Sequence, residues 1–345
     1  MNQFYFPEIK KRTFDKPCRI IATGSVFPEN IVTNANIISK YKHSVTDIVI
    51  QKTIGVRERR VASDDCADSD LLCSAAAACL AKAGIRPEQL SKLIVNKFIG
   101  DKALPMTASL LQKKLNCPDA IHSFDVDGGA NSFLQALDLA SVAINSGDSY
   151  ILIVSGGINN CLANRTDPRT AFLFGDGAGA VLLGPSDKQH ILSSYFFSNY
   201  EFADLFTGFT HCKNIPSDIH ETKNYEILYD QYHAGNWKVA EEFILQAVKV
   251  TAGKMLDSTG LTFDDINMVL ITENNMRLWQ AIVSALGVQQ NKTLSVIENY
   301  GNTMSAMLPV LIDNAFTNKG ICEGDRVMLL SIGEGISGGG LIYEV

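Results

Sequence analysis

The sequence predicts an α/β chain built from two similar halves. Three observations predict it. Continuous apolar runs alternate with segments of helical periodicity along 345 residues. One supersecondary pattern occurs twice. Glycine-rich turns follow the apolar runs in both copies.

The elements read in order as follows. Cys18–Gly24 (CRIIATG) is a buried strand stopped by Gly. Asp68–Ala83, rich in Ala and Leu and followed by Gly-Ile-Arg-Pro, is a helix. Lys92–Ile99 is a strand, Met106–Leu115 a helix entered after Pro105, and His122–Val126 a short strand. Asn131–Ile144 places Phe133, Leu137, Ala140 and Ile144 at helical spacing and is a buried helix. Tyr150–Ser155 and Ala178–Leu183 are unbroken apolar runs, as in strands covered on both faces. From about Ser186 to Asn236 the chain is irregular and reads as loop or pocket wall, with the walls expected around 203–214 and 228–235. Trp237–Leu256 resumes as a long amphipathic helix.

The repeat sets the organisation. SGDSYILIVSGG followed by GAGAVLLG in the first half answers to EGDRVMLLSIGEG followed by GGGLIYE in the second. Each copy is an apolar strand entered by Gly-Asp, left at a Gly-rich turn and followed by a second strand. Two α/β halves around a pseudo-twofold axis are expected, covering 1–185 and 186–345. Ligands of such sheets bind at strand ends, so the site should draw on turns of both halves.

Composition narrows the function. Apolar residues make up 46% and charged residues 19%, ordinary values for a globular enzyme. A net charge of -7 disfavours nucleic acid as a partner. The eight cysteines form no CxxC pair and accompany no His cluster, so no metal site is expected. They read as small buried hydrophobes of a reducing compartment. No apolar run reaches the ~18 residues of a membrane span, and Met1–Lys16 has no signal-peptide core. The expected location is the cytoplasm.

Four segments, in order, resemble the β-ketoacyl-ACP synthase III family of thiolase-fold condensing enzymes: Thr53–Ala62 (TIGVRERRVA), Phe174–Ala180 (FGDGAGA), Tyr300–Ala306 (YGNTMSA) and Ile332–Gly339 (IGEGISGG). The resemblance spans Arg19 to Val345. It implies a thiolase-like fold of duplicated αβαβα layers. It also implies an acyltransferase or β-ketoacyl synthase of specialised fatty-acid or polyketide metabolism. No cofactor is implied beyond the thioester substrate, carried on acyl carrier protein or coenzyme A.

Family chemistry implies a Cys at a helix N-terminus, where the helix dipole and backbone N–H groups lower its pKa and stabilise an oxyanion. A His and an Asn then stabilise the carbanion. The Cys segment resembles Phe124–Ala130 (FDVDGGA), and the nucleophile position is Ala130. The His is placed at Glu273 within Ile271–Arg277 (ITENNMR), and the Asn at Asn302. Gly333, Glu334 and Gly335 form the oxyanion-type loop. A methyl group has no lone pair, so Ala130 excludes a covalent acyl-enzyme at this position. Asp127 and Asn131 beside it are not assigned as substitutes, Asp127 reading as a cap or turn residue. Three readings stand: a degenerate subunit paired with an active paralogue, a Cys→Ala substitution, or a non-covalent reaction. Glu273 reads either as a general base, as a protonated donor if buried, or as a salt-bridged or solvated Glu.

The resemblance also implies a mouth for the phosphopantetheine arm. Its basic residues fall at Lys52 and near Arg169, and its adenine-stacking aromatic near Ile48. Loss of that aromatic leans towards a carrier protein, which is acidic and steered by cations. Leu104 falls where the family reaches into a neighbouring subunit. A dimer is expected, with the identity of the second subunit open.

Overall fold

The computed structural model describes residues 4–98, 100–102, 104–127, 131–199, 201, 207–208, 227–228, 234–333 and 337–345. Its strands are β1 (Cys18–Val26), β2 (Ile31–Thr33), β3 (Glu58–Arg60), β4 (Leu90–Asn96), β5 (His122–Val126), β6 (Tyr150–Gly157), β7 (Gly177–Pro185), β8 (Ile191–Ser198), β9 (Thr207–Gly208), β10 (Ile227–Leu228), β11 (Met268–Ile271), β12 (Arg326–Ile332) and β13 (Ser337–Glu344). Its helices are α1 (Asn34–Tyr41), α2 (Asp47–Thr53), α3 (Asp68–Ala83), α4 (Thr107–Lys114), α5 (Ser132–Asn145), α6 (Pro168–Ala171), α7 (Ala234–Thr259), α8 (Met276–Leu286), α9 (Ile297–Tyr300) and α10 (Met307–Asn318).

Two sheets carry the repeat. The first has the order β1-β7-β6-β4-β5 and the second β11-β12-β13-β8. Reading the second backwards, β8, β13, β12 and β11 take the places of β1, β7, β6 and β4. The directions match as well. β1 and β8 are antiparallel to β7 and β13, β6 and β12 are antiparallel to those, and β4 and β11 run parallel to β6 and β12.

The layers follow from strands that are apolar on both faces. Ile151 and Ile153 of β6 face one core, and Leu152 and Val154 face another. Val327 and Leu329 of β12 share the first of these cores, while Met328 and Leu330 face a third. The shared core holds α5 and α10 between the sheets. α3 and α4 cover the outer face of the first sheet, and α7 and α8 that of the second. This is the αβαβα order expected from the sequence.

The structure corrects the irregular reading of the 186–236 stretch. Ile191–Ser198 is strand β8, paired antiparallel with β13. Its sequence ILSSYFFS hides the strand because Ser193, itself buried, interrupts the apolar run. The N-terminal segment also contributes packing. Phe6 stacks on Phe243 with ring centroids 5.5 Å apart, and Phe4 meets Phe243 edge-on at 4.8 Å. Among the described residues, no helix is long and apolar enough to cross a membrane.

Candidate active site

The C-terminal ends of the parallel strands β4, β5 and β6 lead towards the start of α5, and those of β11 and β12 lead to the corresponding turns of the second half. These ends are where an open α/β sheet places its ligand. Ala130, Glu334 and Gly335 lie outside the described residues, as does most of 203–214 and 228–235. Gly333 is described. It is buried, and its N–H donates to Ser337 O at 2.8 Å, closing the turn between β12 and β13.

Asn302 is held by both halves of the chain. Its N–H donates to Leu173 O at 2.8 Å, and its carbonyl accepts from Gly175 N at 3.1 Å. The FGDGAGA turn of the first half thus grips the YGN segment of the second. The approach is so close that a Cβ on Gly175 would lie 1.8 Å from Tyr300 O. Asp176 anchors the same turn, accepting from Ala62 N at 2.8 Å and Asn160 N at 2.7 Å. Burial pushes its carboxyl up to about 6 against those bonds. The Asn302 side chain is fixed too. Its Oδ1 accepts from Met304 N at 2.7 Å, and its Nδ2 donates to Asn274 O at 3.2 Å. A carboxamide has two N–H groups and two lone pairs, so capacity remains for a ligand.

Glu273 follows β11 and is 1% exposed. Its carboxylate is engaged by three donors: Ser295 Oγ, Val296 N at 2.9 Å and Ile297 N at 3.2 Å. These N–H groups belong to the start of α9, whose early amides have no intrahelical partner. Glu273 therefore meets the 295–297 segment as a buried structural carboxyl, and it is not the solvated Glu that the sequence also offered. Burial pushes its carboxyl up to about 7, opposed by the bonds from Ser295, Val296 and Ile297.

Sequence reasoning passed over Thr272, one residue earlier. Its hydroxyl accepts from Ile332 N at 3.3 Å and donates to Ser331 Oγ at 3.2 Å, tying the end of β11 to the approach to Gly333. It also passed over Asn96, whose Nδ2 donates to Val126 O at 2.9 Å and to Ser132 Oγ at 2.5 Å. The available signal was polar residues standing at the ends of otherwise apolar strands and at the start of a buried helix.

The expected mouth is only partly assembled. Lys52 is exposed in the last turn of α2, and Ile48 is 67% exposed on the same helix. Arg169 is closed onto Asp167 by its Nε at 2.9 Å and its Nη2 at 2.6 Å. Leu104 is 82% exposed. No group of residues able to hold a metal ion occurs among the described residues. Burial pushes Cys18 and Cys79 up to about 12 and Cys117 up to about 11. The reading of the cysteines as buried hydrophobes holds for Cys18 and Cys79, while Cys161 and Cys322 are exposed.

Comparison with known proteins bears on the fold and the family. The model of the 3-oxoacyl-[acyl-carrier-protein] synthase III family matches residues 124–199, and that of its C-terminal part matches 256–345. The β-ketoacyl-[acyl-carrier-protein] synthase III of Natranaerobius thermophilus is 30% identical over 331 residues, 94% of this chain and 98% of that one. That of Staphylococcus aureus is 30% identical over 323 residues, covering 93% and 96%. The crystal structure of 3-oxoacyl-[acyl-carrier-protein] synthase III from Aquifex aeolicus superposes with a TM-score of 0.84 at 25% identity, covering 96% of this chain and all of that one. With its two-sheet thiolase fold, the chain belongs to the β-ketoacyl-[acyl-carrier-protein] synthase III family.

Proposed function

We propose that this chain is an acyltransferase of the β-ketoacyl synthase III type that handles acyl thioesters without forming an acyl-enzyme at position 130. The observation that carries the reading is the double grip on Asn302. Main-chain bonds from the first half and side-chain bonds within the second hold its carboxamide in one orientation, as a pre-organised donor for developing negative charge must be held. Relatives at 30% identity over nearly the whole chain are named as synthases that use acyl carrier protein. The substrate class is an acyl thioester on acyl carrier protein or coenzyme A, and no resident cofactor is called for. Lys52, exposed on α2, is a cation for steering an acidic carrier, whereas Arg169 is paired with Asp167. Glu273 acts as a positioning residue that ties β11 to α9, two residues before Asn302.

Ala130 favours a second reading, in which the chain is a non-catalytic subunit that pairs with a paralogue carrying the Cys. Intact-mass spectrometry separates the claims. The chain incubated with octanoyl-coenzyme A should gain no mass, whereas Ala130→Cys should gain one octanoyl group. An unmodified Ala130→Cys protein would overturn the proposal that the surrounding site is built for acyl thioesters. Product formation by the chain alone supports the first reading, and product formation only with a paralogue present supports the second.

A further inference from the structure

Asn131 is 0% exposed, and neither its Oδ1 nor its Nδ2 has a hydrogen-bond partner. It directly precedes α5 with helical backbone angles (φ -82°, ψ -13°), and its side chain makes no hydrogen bond to the first turn. A buried carboxamide with both ends unpaired destabilises the free protein, and native structures keep few of them.

Asn131 belongs to a wider set. Asn96 Oδ1, Ser155 Oγ and Thr303 Oγ1 are also buried and unpartnered. These groups sit on joined elements. Asn96 and Ser155 are register partners at the ends of β4 and β6. Asn96 is bonded to Ser132, the neighbour of Asn131. Thr303 follows Asn302 directly, and its carbonyl accepts from Asn159 Nδ2 at 3.1 Å. Unsatisfied polar groups thus stand at the ends of β4 and β6, beside α5 and beside Asn302. The N-terminal end of a 14-residue helix carries partial positive charge there. Such a place suits a polarised carbonyl oxygen.

We propose that the Asn131 carboxamide is a substrate-binding group whose Nδ2–H donates to the carbonyl oxygen of the bound acyl thioester. The inference rests on the acyl-thioester reading of the site. It assigns a recognition role to a residue beside position 130, where the side chain is only a methyl group. No bond forms or breaks. The donor orients the carbonyl and favours the charge that develops on its oxygen.

The test compares two ligands by titration calorimetry: octanoyl-coenzyme A, and S-octyl-coenzyme A, a thioether that lacks the carbonyl. The unsubstituted chain should prefer the thioester by about tenfold, the discrimination expected of one buried hydrogen bond. Asn131→Leu should bind the two equally, with the thioether affinity unchanged and the melting temperature equal or higher. A preference that survives in Asn131→Leu, or a lower melting temperature with both affinities reduced, overturns the inference. If Asn131→Leu does not fold, Asn131→Ala is read by the same preference, and its retention overturns the inference. Failure of the unsubstituted chain to bind either ligand is a different result, and it overturns the acyl-thioester reading itself.

Discussion

Asn302 and Glu273 answer different chemical demands although both are buried. Asn302 keeps bonding capacity after its structural bonds are made. The Glu273 carboxylate is committed to Ser295, Val296 and Ile297. Its proton gives a test. The carboxyl is pushed from 4.5 up to about 7, so the native chain holds the proton more tightly than the unfolded one. Below about pH 4.5 both states are protonated. Between about 4.5 and 7 only the unfolded state ionises, so stability falls as pH rises through that window, by about 3 kcal/mol. Asp176 acts in the same direction over a lower window that ends at about 6. Glu273→Gln keeps an acceptor for the two amides and a donor for Ser295, and it does not ionise. Its melting temperature should fall less than that of the unsubstituted chain between pH 5 and pH 8. Glu273→Ala leaves two buried N–H groups unpaired and should lose about 2–3 kcal/mol at pH 5 in urea denaturation. An unaltered pH dependence in Glu273→Gln would refute the assignment.

At the scale of elements, the family-like motifs turn out to be joints. FGDGAGA locks β7 to the segment that carries Asn302, with Gly175 against Tyr300 O. Gly175→Ala forces a backbone to move and should cost about 3 kcal/mol or more, read by urea denaturation, with loss of activity alongside. Gly253 of α7 is the control. A Cβ there meets nothing within 4 Å, and Gly253→Ala should raise stability by about 0.5–1 kcal/mol. The long strands were legible because both their faces are apolar. β8 was not, because Ser193 and Ser194 give it the composition of a loop, and only pairing with β13 reveals it. In the same way ITENNMR reads as a site motif, but which of its side chains turns inward depends on the path from β11 to α8.

Across the whole molecule, the halves are stitched through the middle layer. Asp313 of α10 accepts from Thr23 Oγ1 at 2.7 Å and Ser25 Oγ at 2.6 Å of β1, and from Lys82 Nζ of α3 at 3.1 Å. Tyr343 of β13 reaches back to accept from Ile20 N at 2.8 Å. Tyr343→Phe leaves that part-buried amide without its phenol partner and should cost about 1 kcal/mol in thermal denaturation. The first sheet ends at β5, whose outer edge has no pairing strand among the described residues, and Leu104 and Met106 are exposed. An open edge and exposed apolar side chains are a pairing surface. The chain is expected to sediment at twice its own mass, and Leu104→Asp to shift it towards the monomer. A chain that sediments as a monomer at micromolar concentration would count against the dimer.

By itself the sequence determined the duplicated α/β plan and the incapacity of Ala130 for covalent acyl transfer. Both follow from residue types and their periodicity, which do not depend on distant partners. Only the tertiary structure decided that Asn302 is gripped from both halves, that Glu273 serves Ser295 and the start of α9, that Arg169 is spent on Asp167, and that Asn131 is buried without a partner. The roles of these side chains depend on direction and on groups distant in the chain. Folding settles them by pairing most buried polar atoms, because an unpaired one is costly.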